Sequence, residues 1–137
     1  MYEVLVPIDA SMDRVDAQIG ALDDLQAEGT DLSALLLHVF DENRTGASVR
    51  QVEPVRRAES ELDGDGVDVT LLEDSGDPIE KILAAAQEQD VDAICLGGRK
   101  RTPAGKVLFG SVTQSVALEA NVPILICGTD EKTELSE

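Results

Sequence analysis

Tyr2-Glu3-Val4-Leu5-Val6-Pro7-Ile8-Asp9 begins as a run of apolar and β-branched residues that stops at Pro7 and Asp9, and from Ser11 onward the hydrophobic period changes. The run has the composition of a short strand buried on both faces, the kind found in parallel sheets. Beyond Ser11, Val15, Ile19, Leu22 and Leu25 recur at helical spacing, Asp13, Asp16, Asp23 and Asp24 take the other side, and Gly29 supplies a stop. That pattern is an amphipathic helix ending just before a second strand.

The alternation continues along the chain. Leu32 to Phe40 reads as a second buried strand and Asp41 to Ser48 as a polar loop. Val52, Val55 and Leu62 mark a weaker helix that dissolves into Asp63-Gly64-Asp65-Gly66, and Val67 to Leu72 alternates as a third strand. In Gly76-Asp77-Pro78-Ile79-Glu80, Asp77 can cap a helix, Pro78 can take its first position, and Glu80 has capping-box spacing; Ile79, Ile82, Leu83 and Ala86 form its apolar face. Val91 to Leu96 is a fourth strand, Gly97 to Phe109 a basic loop, Gly110 to Ala120 a helix, Val122 to Cys127 a fifth strand, and Gly128 to Glu137 a polar end. Strands alternating with helices imply right-handed crossovers and an α/β fold with helices on both faces of a five-stranded parallel sheet. The flavodoxin-like order 3-2-1-4-5 follows, with the first and fourth strands side by side at a topological switch point.

One domain accounts for 137 residues, 42% of them hydrophobic. Twenty-eight acids against eleven bases give a net charge of −17, which argues against binding nucleic acid or an anionic membrane over a broad surface. No apolar run approaches the ~18–20 residues of a membrane span, and the N-terminus lacks the features of a signal peptide, so a cytoplasmic location is expected. Cys95 and Cys127 each sit inside an apolar run and read as small hydrophobes.

In such sheets ligands bind beyond the carboxyl ends of the strands that flank the switch point. The loop after the first strand, Pro7-Ile8-Asp9-Ala10-Ser11, carries one carboxylate. The segment after the fourth, Gly97-Gly98-Arg99-Lys100-Arg101-Thr102-Pro103-Ala104-Gly105-Lys106, holds four of the chain's eleven cations. Glycines that admit a phosphate, amides at the start of the next helix and the Ser111 hydroxyl together describe a phosphate cradle. Three plainer readings stand beside it. Ser111 with Gln114 matches a capping box, Gly97 suits a turn, and the cations would relieve acidic repulsion. Walker and Gly-x-Gly-x-x-Gly loops are excluded, since Lys100 stands where the first needs its leading glycine and no glycine triad follows the first strand. The single histidine, His38, lies within the second strand and reads as a packed strand-end residue, and neither cysteine has an evident base or second metal ligand.

From first strand to fifth, and above all over Gly97 to Val112, the chain resembles the universal stress protein family, whose fold is adenine nucleotide alpha-hydrolase-like. The family's signature is Gly-x2-Gly-x9-Gly-(Ser/Thr). Gly97, Gly110 and Ser111 keep its spacing, while Lys100 stands at its second glycine. Val6-Pro7-Ile8-Asp9, Leu37-His38-Val39 and Gly76-Asp77-Pro78 resemble the family's other loops. The resemblance implies a domain over 1–128 with a polar tail over 129–137, and an adenine nucleotide such as ATP, with or without Mg2+, as ligand. Asp9, flanked by Pro7 and Ile8, and Val39 would read the nucleoside. Gly97 with Gly98, and Gly110, Ser111, Val112 with Thr113, would hold phosphates, and charge adds Arg99, Lys100 and Lys106 to that set. A lysine does not freely take positive φ, so Lys100 either closes the pocket or lends its ammonium to a phosphate. The resemblance also implies a homodimer through Pro123 to Cys127, an apolar edge that itself favours a covering partner. The expected role is stress response or signalling with slow or no hydrolysis. The alternatives are a dimer that works through protein contacts without nucleotide, and a hydrolase in which Asp9 holds magnesium.

Few lysines, many aspartates and 2% aromatics resemble proteins of salt-loving archaea, in which salt at 1 M screens surface repulsion within ~3 Å. The melting temperature is accordingly expected to rise between low and molar salt; an unchanged value would remove the halophilic reading.

Overall fold

Val4, Leu5 and Val6 are all but fully buried, as a strand covered on both faces requires. The computed structural model describes residues 1–41, 48–100 and 110–129. Among them, β1 (Tyr2–Pro7), β2 (Leu32–Phe40), β3 (Asp68–Ser75), β4 (Ala93–Lys100) and β5 (Ile124–Thr129) form a parallel sheet in the order β3-β2-β1-β4-β5. This is the order that the strand–helix alternation implies.

The helices divide between the two faces. On one, α1 (Met12–Ala27) and α2 (Glu53–Gly64) bury Val15, Ile19, Leu22, Val55 and Leu62 with Val4, Val6, Leu36 and Cys95. On the other, α3 (Pro78–Glu88) and α4 (Ser111–Glu119) bury Ile82 and Val116 with Leu5, Leu35, Leu37, Ile94 and Leu96. A fully buried side chain such as Leu22 or Leu62 contributes ~2 kcal/mol by leaving water. The helix ends follow the local chemistry. Ser11 Oγ accepts the Arg14 amide at 3.2 Å, the Asp77 carboxylate accepts the Ile79 amide, and Gly29 at φ 97° closes α1.

Three strands run further than the sequence pattern indicates, and β5, read as Val122 to Cys127, spans Ile124–Thr129, so it starts later and takes in Gly128 and Thr129 of the expected polar end. β3 continues past Leu72 to Ser75 because β2, extended to Phe40, offers partners for Glu73, Asp74 and Ser75. β4 continues past Leu96 to Lys100, so Gly97-Gly98-Arg99-Lys100 begins as strand and not as loop. Glycine is a poor strand former, yet pairing of Gly97 with Cys127 and of Lys100 with Thr129, with a register shift between them, overrides that preference.

Asp23 on α1 faces α2, with one carboxylate oxygen buried and without a hydrogen-bond partner. Burial, a hydrogen bond that its protonated form makes to Asp65, and repulsion from Asp65, Glu61 and Asp24 push it from the usual 3.8 up to about 6. A pKa raised by folding gives stability that is complete below the unfolded value of 3.8 and is lost as pH rises through about 6. Asp23→Asn supplies the donor at every pH. It is expected to raise the melting temperature at neutral pH by roughly 3–5 °C, the effect of ~1 kcal/mol in a domain of this size. The gain should vanish near pH 4, and thermal melts across that range check it.

Candidate functional site

β1 pairs with β2 through to Pro7, but with β4 only at Val4 and Leu5. Past that point β1 leans to one side of the sheet and β4 to the other, which opens a crevice at their carboxyl ends. The carbonyls that face each other across the split have no ladder partner. Gln18, on the buried face of α1 and 2% exposed, supplies one. Its Nε2 donates to the Pro7 carbonyl at 2.8 Å and to the Cys95 carbonyl at 3.0 Å.

Above this floor lies a cleft of about 920 Å³, within the ~300–1,000 Å³ usual for small-molecule sites. Its walls come from the β1–α1 loop (Pro7 to Ser11), the end of β2 (Leu37 to Asp41), Pro78 and Ile82 of α3, and Leu96, Gly97 and Gly110 to Thr113. Pro7, Ile8, Asp9, Val39, Gly97, Gly110, Ser111, Val112 and Thr113, all singled out in the sequence, therefore meet at one place. Gly98 is buried in β4 and is not among the lining residues. Lys106 lies outside the described residues, and Arg99 and Lys100 are described in their backbone alone.

Asp9 is fixed in two directions. One carboxylate oxygen accepts the Ser11 amide at 2.9 Å and the other accepts Arg14 Nε at 2.7 Å. With side chains 34% and 54% exposed, the Arg14–Asp9 pair orients the carboxylate more than it stabilises the fold. Gly97 answers a close approach: a Cβ there would stand 2.9 Å from Arg14 Cβ. Turn geometry is not the reason for this glycine, because its residue is in strand. Lys100 likewise sits in strand opposite Thr129, where no positive φ is called for, so a lysine fits the backbone path at the signature's second glycine.

The N-cap of α4 is Gly110, with no side-chain cap, and Ser111 is the exposed first residue of the helix. The Ser111–Gln114 capping box is thereby excluded, and among the described residues no side-chain oxygen caps the first-turn amides of α4, which border the cleft. Thr113 Oγ1 donates to the Gly97 carbonyl at 3.1 Å and ties that turn to β4. The arrangement offers one end that accepts hydrogen bonds at Asp9, an apolar wall at Ile8, Leu37 and Val39, and one end that attracts negative charge at α4.

Two lining residues, Gln18 and Arg14, were not singled out in the sequence. Gln18 follows Val15 by three and precedes Leu22 by four, so its place on the buried face was available as a signal, masked by its polarity. Arg14 shows no signal, since only the fold sets it under Gly97. His38 is bonded through Nδ1 to the Ile8 carbonyl at 2.7 Å and packs edge-on to Phe40, with centroids 4.6 Å apart. It is thus a strand-end residue, as read, and a cleft residue as well. Among the described residues, no three His, Cys, Asp or Glu side chains converge to hold a metal.

Residues 1–128 match the model of the universal stress protein family. A universal stress protein of Mycolicibacterium smegmatis is 36% identical over 72 residues, 52% of this chain and 55% of that protein. The match thus spans about half of that relative's length. Universal stress protein MJ0577 of Methanocaldococcus jannaschii is 28% identical over 118 residues, 77% of this chain and 71% of that protein. The solved structure of MJ0577 superposes with a TM-score of 0.72 at 26% identity, covering 93% of this chain and 95% of that one. A universal stress protein family member from Arabidopsis thaliana with AMP bound shares the fold with a TM-score of 0.71 at 16% identity, covering 97% and 95%.

Removing the Gln18 amide leaves the buried Cys95 carbonyl and the part-buried Pro7 carbonyl without that donor. Gln18→Leu, close in volume, is expected to cost roughly 2–3 kcal/mol in urea denaturation; a loss below ~0.5 kcal/mol would mean that the floor is held by other contacts.

Proposed function

The chain belongs to the universal stress protein family, and on that footing we propose that it binds an adenine nucleotide in the cleft at the β1/β4 switch point. The observation that carries this reading is the convergence of Asp9, the apolar wall and the N-terminal turn of α4 around one space of nucleotide size. In this reading the base lies against Ile8 and Val39, whose backbone groups meet its edge, with Pro7 beside them. Asp9 accepts from the ribose or the base. The phosphates meet the amides of Ser111, Val112 and Thr113, with Gly97 and Gly110 leaving room for them and the Ser111 hydroxyl donating. Any Mg2+ would ride on the phosphates. The sequence offers Arg99, Lys100 and Lys106 as the positive charge that a chain of net charge −17 needs locally if it is to hold an anion.

Two further parts of the reading follow. β5 is the edge strand beyond β4, and Ile126 on it is 40% exposed, which favours a homodimer formed through Pro123 to Cys127. The protein then acts in the cytoplasm as a nucleotide-responsive dimer in stress response or signalling. A second reading rests on one observation, the lysine at the signature's second glycine: Lys100 closes the pocket, and the protein works through protein contacts alone.

Calorimetric titration of AMP and of ATP with magnesium, in molar salt, separates the two. The expected result is saturable binding by the native protein, kept or strengthened by Lys100→Gly and weakened roughly 10-fold or more by Asp9→Ala, the size of one lost charge-assisted hydrogen bond. Absence of binding by the native protein, restored in Lys100→Gly, would establish the second reading instead.

A further inference from the structure

Cys95 and Cys127 are distant in the sequence, each in its own apolar run, yet their Sγ atoms stand 3.3 Å apart across the β4–β5 ladder. Cys127 lies opposite Gly97 in that ladder and Cys95 opposite Leu125. Both side chains join the cluster under α1. Their surroundings differ: Cys95 is fully buried, and Cys127 is partly open to solvent.

We propose that Cys95 and Cys127 form a redox-active dithiol, in which Cys127 is the peroxide-reacting sulfur and Cys95 resolves it to an intramolecular disulfide. The division of labour follows from exposure, because Cys127 is the less buried of the two. The titration of the pair agrees with it. The hydrogen bond from Cys95 pulls the Cys127 thiol down against the opposing effect of burial, and that same bond, desolvation and the Cys127 charge push Cys95 up. Of the two, the outer sulfur is therefore the one that gives up its proton more readily.

The chemistry closes without any other protein group. The Cys127 thiolate attacks a peroxide oxygen, the O–O bond breaks, and hydroxide leaves as a sulfenic acid forms. Cys95 then gives up its proton and its sulfur attacks Cys127 Sγ. The S–S bond forms as the S–O bond breaks, and the departing hydroxide takes the proton as water. In sum, two thiols and one hydrogen peroxide yield one disulfide and two waters. The sulfurs must approach from 3.3 Å to about 2.05 Å. Side-chain rotation and a small shift of β5 supply the movement, since β5 pairs in the sheet with β4 alone and their ladder already carries a register shift beyond Gly97. Edge-to-edge dimerisation would use backbone groups of β5, whereas the Cys127 side chain lies on the α1 face, so the two do not compete.

The test treats the reduced, folded full-length protein with hydrogen peroxide, then alkylates the remaining thiols and measures intact and peptide masses. The expected result is a fall from two free thiols to none, loss of two hydrogens, and a link within one chain between the Cys95 and Cys127 peptides that dithiothreitol reverses. In Cys127→Ser the Cys95 thiol should survive the same exposure. In Cys95→Ser, Cys127 should stop at a sulfenic acid that dimedone traps. Survival of both native thiols, separate oxygen additions without a link, or a link only between chains would each overturn the proposal. None of these readouts depends on nucleotide binding, so the failure of one reading leaves the other standing.

Discussion

The carboxamide of Gln18, donating to the Pro7 and Cys95 carbonyls, is the interaction on which the rest of the cleft rests. A parallel sheet that changes winding direction must let two neighbouring strands part, and the parted ends carry carbonyls that no ladder partner reaches. A buried unpaired carbonyl is costly, so the gap needs a donor fixed in the core, and only a side chain from the covering helix can bring it. Gln18 sets how far β1 and β4 separate. It also draws α1 down until Arg14 meets Gly97 so closely that a Cβ would stand 2.9 Å from the arginine stem. Arg14, placed in that way, orients Asp9. One amide therefore links the sheet's topology to the direction of the cleft's carboxylate.

Much of this was legible in the sequence because it is local. Buried runs such as Val4 to Val6, the helical spacing of Val15, Ile19 and Leu22, and Asp77-Pro78 at a helix start each carry their own physical cause within a few residues. The strand order followed from the alternation, and the meeting of Asp9, Val39, Gly97 and Gly110 followed from the order. What acts across the sheet was not legible. Arg14 matters because of Gly97, His38 because of the Ile8 carbonyl, and the two cysteines because β4 and β5 are neighbours in register. The continuation of β4 through Gly97-Gly98 failed for a related reason: local propensity argues for a loop, and the pairing that overrules it comes from β5.

Charge shows the same division between global and local. A net charge of −17 sets the protein's average field against any anion, and the neighbouring Asp65, Glu61 and Asp24 add to the cost that burial already imposes on Asp23. On the proposed reading the cleft escapes that average by short-range means: oriented amides at the start of α4 and a carboxylate already engaged by a guanidinium.

The most direct measurement is a crystal structure grown in molar salt with saturating AMP. The expected density has adenine against Ile8 and Val39, ribose within reach of Asp9, and phosphate at the amides of Ser111 and Val112. A cleft empty of nucleotide at saturation, or a nucleotide bound elsewhere on the molecule, would contradict it.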